Sequence, residues 1–261
     1  MAEHLDVQRF RRALEARKTA LPDQGDASVV DDLFVDNVVW HGIASGKEEV
    51  IDRWRGWAGE ATKAEVGGVY ADGLHTIATV ELSSGSGNTV EQALIFHLDD
   101  GKVTEFWSLP TGAAVAAALV SGGDVPAHPY VEVFETAEAT RERNTFEPED
   151  IANIHAFLRE DVEWHGARDI PGVKGRDALI ALAKQFKEAT GGSLHLGMGS
   201  MFIDETHAAS IVHLTATRPD KPGRKLDVME VNLFHLDEHG KAFELWGVSA
   251  DQDAIDAFWL P

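Results

Sequence analysis

The chain has 261 residues, with 44 acidic against 23 basic side chains, a formal charge of -21 and 44% hydrophobic residues. A field of that sign repels phosphate backbones and anionic lipid surfaces, so neither nucleic acid nor membrane is an expected partner. The complete lack of cysteine excludes disulfides, thiolate metal sites and a cysteine nucleophile.

The first element in chain order is a helix over about residues 5–18, in the stretch MAEHLDVQRFRRALEARK. That stretch has no apolar core of signal-peptide length. No run elsewhere approaches the ~18 apolar residues of a membrane span, so the expected location is the cytoplasm. A short second helix is predicted over about 27–35, then a strand in DNVVWHG at 36–42, then a third helix over about 47–58. Trp54 and Trp57 on that third helix read as a packed face, with a hydrophobic lid as the alternative. Strands follow, among them YADGLHTIATV from Tyr70 and IFHLDDGKVTEFW from Ile95 to Trp107, the latter turning at 99–102 with Gly101 supplying positive φ. A joint dense in glycine and proline, SGGDVPAHP from Ser121 to Pro129, interrupts the apolar periodicity.

The same order of elements then returns. Trp-His-Gly at 40–42 reappears at 164–166, and GKEEVIDRW from Gly46 as GRDALIAL from Gly175. YADGLHTIATV is matched by FIDETHAASIV from Phe202, which sets His75 opposite His207, and the hairpin by LFHLDEHGKAFELW from Leu233 to Trp246. Four blocks in one order identify a tandem duplication. Its predicted boundaries are 1–122 for copy one, 123–129 for the linker and 130–261 for copy two. The helices predicted for copy two lie over about 130–143, 148–159 and 176–189, with Ala178, Leu179, Leu182 and Phe186 along one side of the last. On the strand from Met229, a period of two puts Met229, Val231 and Leu233 on one face and Glu230, Asn232 and Phe234 on the other.

Helices first and then a run of antiparallel strands is an α+β pattern, with helices packed on one face of a curved sheet. The succession of helix, helix, WHG strand, GRDAL helix, FHLDEHGK hairpin and closing DQDAIDAFW resembles the SnoaL-like, ketosteroid-isomerase-like branch of the NTF2-like superfamily. The resemblance spans nearly all of copy two and most of copy one. It implies two cone-shaped domains, each a curved, mostly antiparallel sheet with three or so helices around an apolar cavity. Because members commonly dimerise through their sheets, it also implies an intramolecular pseudo-dimer and leaves a further homodimer open.

The fold hosts isomerases, dehydratases, cyclases, epoxide hydrolases and plain binders, so side chains must choose among them. His165 on the WHG strand is a candidate acid or base. The alternative is that His165 and its counterpart His41 are hydrogen-bonded framework residues, and since neighbours on a strand point oppositely, only one member of each Trp-His pair can face the cavity. Glu230 in an apolar cone would have a raised pKa and could pass a proton. Asn232 stands roughly where the resemblance places an oxyanion donor. Copy one has Gln92 and Leu94 at the matching positions, so copy two is the expected active half and copy one the degenerate one. Trp164, Phe234, Trp246, Asp251, His41, Trp40 and Gln92 complete the expected substrate-binding set, with helix capping as the alternative for Asp251 and a packed interface for Trp246. His235 and His239 flank a turn with no third ligand in sequence, so no metal is expected.

The first-helix tyrosine of ketosteroid isomerases has no counterpart, and scytalone-dehydratase-like chemistry, with histidines and a carboxylate, suits the residue types better. The leading expectation is a cofactor-independent acid–base enzyme, a dehydratase, isomerase or polyketide-cyclase-like protein, for a small apolar cyclic metabolite. The alternatives are an epoxide hydrolase or epoxide-opening cyclase, for which paired acids are not evident at matched sites, and a non-catalytic small-molecule-binding scaffold.

Overall fold

The computed structural model describes residues 10, 32–56, 61–110, 118, 121–122, 124, 128–166 and 171–259. The chain divides into two compact units, Met1–Pro126 and Ala127–Pro261. In the first unit the described elements are β1 (Phe34–Trp40), β2 (Ala44–Ser45), α1 (Lys47–Gly56), β3 (Ala61–Ala71), β4 (His75–Ser84), β5 (Thr89–Asp99) and β6 (Lys102–Leu109). In the second they are α2 (Val131–Arg143), α3 (Pro148–Phe157), β7 (Leu158–Trp164), β8 (Val173–Lys174), α4 (Arg176–Ala189), β9 (His195–Ile203), β10 (His207–Thr217), β11 (Lys225–Leu236), β12 (Ala242–Ser249) and α5 (Gln252–Trp259). None of the described helices is long and apolar enough to cross a membrane.

Each unit holds one six-stranded mixed sheet, and the two have the same topology: β2-β1-β6-β5-β4-β3 and β8-β7-β12-β11-β10-β9. The pairing is antiparallel except for β1 with β6 and β7 with β12, which run parallel. The duplication extends to register. His75 opposes His97 in the first unit, and His207 opposes His235 in the second. The turns before these histidines use one device, in which a carboxylate accepts two successive amides: Asp72 Oδ1 those of Leu74 and His75, Asp204 Oδ1 those of Thr206 and His207.

Gly101 and Gly240 both sit at φ 71 in the hairpin turns, as the DG and HG steps require. Helix α4 covers the range expected for it, and α2 and α3 fall within a residue or two of theirs. The helix expected over 27–35 does not reach that far, because Asp32 and Leu33 form a turn and Phe34 already begins β1; its earlier part, and the helix over 5–18 apart from Phe10, lie outside the described residues. So do Trp57, the side chain of Trp54 and most of the linker.

The cores of the two units differ. In the first, Trp40, Phe34, Phe96 and Phe106 are buried together. Phe106 lies 4.9 Å from Trp40, 5.2 Å from Phe96 and 5.6 Å from Phe34 between ring centroids, and Phe10 closes on Phe96 at 4.9 Å. Leu94 belongs to the same cluster. In the second unit, Phe134, Phe157 and Phe234 with their neighbours form one buried cluster, and Leu226, Val228, Ile255 and Phe258 with theirs form another.

Candidate active site

A cavity of about 210 Å³ lies within the second unit, lined by α2, α3, α4, α5 and the strands β7 and β9 to β12. Leu179, Ile180, Leu182, Ala183 and Phe186 of α4 form one wall. Ile180 and Ala183 take the place expected of Ala178, which is exposed. Trp164 and Trp259 flank Phe186, with ring centroids at 6.3 Å and 4.5 Å.

The polar groups converge from β11 and α2. The pleat of β11 turns Glu230, Asn232 and Phe234 into the cavity, as the period of two requires. Glu230 is half-buried, and its carboxyl lies against Gly247 of β12. Burial pushes its pKa up to about 7, with the positive charge of Arg141 pulling the other way. A carboxyl poised there can both give and take a proton at neutral pH. Asn232 is 3% exposed; its Oδ1 accepts a hydrogen bond from Arg141 Nη2 at 3.2 Å, while its Nδ2 has no hydrogen-bond partner. Arg141 is in turn held by Glu138, whose Oε1 accepts from Nη1 at 2.6 Å and whose Oε2 accepts from Ser210 Oγ at 2.6 Å.

Asp150 also lines the cavity but is already engaged. It accepts from the Thr145 hydroxyl, from Arg143 Nη2 at 2.8 Å and from the Glu147 amide at 3.2 Å, as part of the capping box that starts α3. The Thr145 hydroxyl, followed by Arg143, holds its pKa below the ordinary carboxylate value, which makes it a poor base.

His165 is not beside Glu230. It follows the last residue of β7, and because Trp164 turns into the cavity, His165 turns to the other face of the sheet. There its ring stacks on Trp246 at 4.3 Å and 4°, and Nε2 lies 3.2 Å from Glu244 Oε1. Trp246, expected at the substrate, therefore stacks on a histidine instead. The first unit repeats the arrangement, with His41 on Trp107 at 4.1 Å and 5° and its Nε2 2.8 Å from Glu105 Oε2. Both Trp-His pairs thus split alike, each histidine stacked on a tryptophan of the neighbouring strand with its Nε2 beside a glutamate. Asp251 is a cap: its Oδ1 accepts the amide of Ala254 at 3.0 Å. Trp40 is buried and donates to Ser108 Oγ at 3.0 Å, and Gln92 donates to the carbonyl of Pro110 at 2.7 Å.

Of the expected residues, Glu230, Asn232, Phe234 and Trp164 come together at the cavity. Arg141, Glu138 and Ser210 were not anticipated. The available signal was local: Phe134, Ala137, Glu138 and Arg141 recur at helical spacing, which sets an acid and a base on the buried stripe of α2. The equivalent strand positions in the first unit, by register, are Ala78 for Ser210, Leu94 for Asn232, Phe106 for Leu245 and Ser108 for Gly247. None of these four carries an acid, an amide or a glycine.

A model of the SnoaL-like domain matches the chain twice, at residues 7–106 and 139–245. No curated protein matches. Among solved structures, Bal32a from a soil-derived mobile gene cassette is 25% identical over 49% of this chain and 98% of its own, with a TM-score of 0.40. A SnoaL-like polyketide cyclase, so titled, from Jannaschia sp. CCS1 is 16% identical over 53% of this chain and 99% of its own, with a TM-score of 0.43. TerC, co-crystallised with polyporic acid, is 16% identical over 50% and 97%, with a TM-score of 0.41.

Proposed function

The chain belongs to the SnoaL-like domain family, and from that premise we propose that its second unit is a cofactor-independent acid–base catalyst for a small, apolar, cyclic carbonyl compound. The observation that carries this reading is Glu230, a carboxyl with a pKa near 7 in an apolar cavity, on the same strand face as Asn232 with its unpartnered amide donor. A carbonyl oxygen seated at Asn232 Nδ2 brings the carbon next to that carbonyl towards Glu230. Ionised Glu230 removes the proton from that carbon, the negative charge collects on the oxygen, and the amide stabilises it there. Protonated Glu230 then returns the proton at the same carbon or at a conjugated one. Dehydration, isomerisation and ring closure of such a compound share this step. The largely apolar lining lowers the local polarity, and that strengthens the donor's hold on the oxyanion.

The test uses 2-tetralone, an apolar bicyclic ketone with exchangeable protons beside its carbonyl. Loss of those protons to deuterium, followed by proton NMR, is expected to be accelerated by the protein and to fall about 10²-fold or more in E230Q. Equal rates with and without the protein would refute the proposal.

A further inference from the structure

The four residues Ser210, Glu138, Arg141 and Asn232 form an unbroken chain of hydrogen bonds from β10 through α2 to β11, ending at the cavity. The direction of this chain is fixed by chemistry. A guanidinium has only N–H donors. The Asn232 atom that faces Arg141 must therefore be its carbonyl oxygen, and the side-chain amide has one orientation. That leaves Nδ2, buried and without a hydrogen-bond partner, as the group offered to a ligand. An unmet amide donor in an apolar site costs free energy that a ligand acceptor would recover.

Arg141 itself is anchored. Its Nη1 is tied to Glu138, a carboxylate with no exposed side-chain surface, whose second oxygen is filled by Ser210. The guanidinium is also 5.8 Å from the centroid of the Phe234 ring, which completes its seat on the cavity wall. None of the three supporting residues needs to touch the reacting atoms.

We infer that Arg141, braced by Glu138 and Ser210, is a positioning residue that locks Asn232 as a hydrogen-bond donor, so that the cavity selects a flat apolar ligand bearing a carbonyl oxygen over the parent hydrocarbon. For the chemistry that follows at the neighbouring carbon, the inference rests on the acid–base reading above. For binding it stands alone. A donor locked in this way has no reorganisation left to perform when charge develops on the ligand oxygen. The first unit, with Leu94 and Ala78 at the two strand positions, lacks the strand half of the device.

The test measures binding rather than turnover. The probe is 2-acetylnaphthalene labelled with carbon-13 at the carbonyl, and the readout is the isotope-edited C=O stretch of the bound molecule. In the unaltered protein the band is expected at lower wavenumber than in cyclohexane. In N232D and in N232L it is expected to return towards the cyclohexane position, with binding about tenfold weaker. R141K keeps a cation for Glu138 but loses the planar fork, so its band is expected to split or broaden as the amide gains a second orientation. An unshifted band in the unaltered protein, or the same shift in both Asn232 variants, would overturn the inference. So would an R141K band identical to that of the unaltered protein, or failure of the ketone to bind. Proton exchange without a band shift would count against this inference alone; a band shift without exchange would count against the acid–base reading alone.

Discussion

The carboxyl of Glu230 occupies the space a side chain at Gly247 would need: a Cβ at Gly247 would lie 3.0 Å from Glu230 Oε1 and 3.1 Å from its carboxyl carbon. A side chain at position 247 would thus crowd the acid on the neighbouring strand. In G247A the Cβ meets the mobile end of a side chain rather than backbone, so Glu230 swings aside and the fold survives. Exchange of 2-tetralone should fall about tenfold or more, since small displacements of a reacting group are costly. The urea midpoint should change by no more than about 1 kcal/mol in stability. A rate equal to that of the unaltered protein would show that the carboxyl's position is immaterial.

The raised pKa of Glu230 makes folding depend on pH. Its folded value of about 7 exceeds the ordinary 4.5, so the folded state holds this proton more tightly than the unfolded one. The resulting stabilisation is complete below about pH 4.5, declines through the interval and is gone once pH passes about 7. Glutamine cannot ionise, so E230Q escapes that decline. Urea unfolding at pH 5.5 and at pH 8 should show the variant gaining on the unaltered protein by about 1–3 kcal/mol between the two. A constant difference would mean that Glu230 titrates as an ordinary surface acid.

The first unit carries a larger side chain at one of the positions that line the cavity of the second. Phe106, buried among Trp40, Phe96 and Phe34, stands where the second unit has Leu245. L245F should project a ring into the cavity. Filling it should raise stability by about 0.5–2 kcal/mol and abolish the binding of naphthalene, followed by the fluorescence of the cavity-lining Trp164. Undiminished binding would place the apolar ligand elsewhere.

Much of this molecule was readable before its structure. The period of two at Glu230, Asn232 and Phe234 correctly put those three on one face, and four repeated blocks exposed the duplication. The contrast of Glu230 with Gln92 is also plain in the sequence. His165 was misplaced because residue type alone favoured a histidine for proton transfer, whereas strand geometry allows only one of Trp164 and His165 to face inwards, and a tryptophan gains more from the apolar side. The Glu138–Arg141 brace eluded sequence reading for another reason. An acid and a base three apart on a helix ordinarily form a solvated surface pair; their spacing from Phe134 and Ala137 was the one local hint of burial, and the closeness of Ser210 and Asn232, 72 and 91 residues away along the chain, establishes it.

The most direct measurement compares E230Q with H165A in the 2-tetralone exchange assay at pH 7. The proposed acid–base reading predicts a fall of about 10²-fold or more in E230Q and a rate within a few-fold of the unaltered protein in H165A, whose ring lies on the opposite face of the sheet, stacked on Trp246. A full rate in E230Q together with a collapse in H165A would contradict the assignment and move the chemistry out of the cavity.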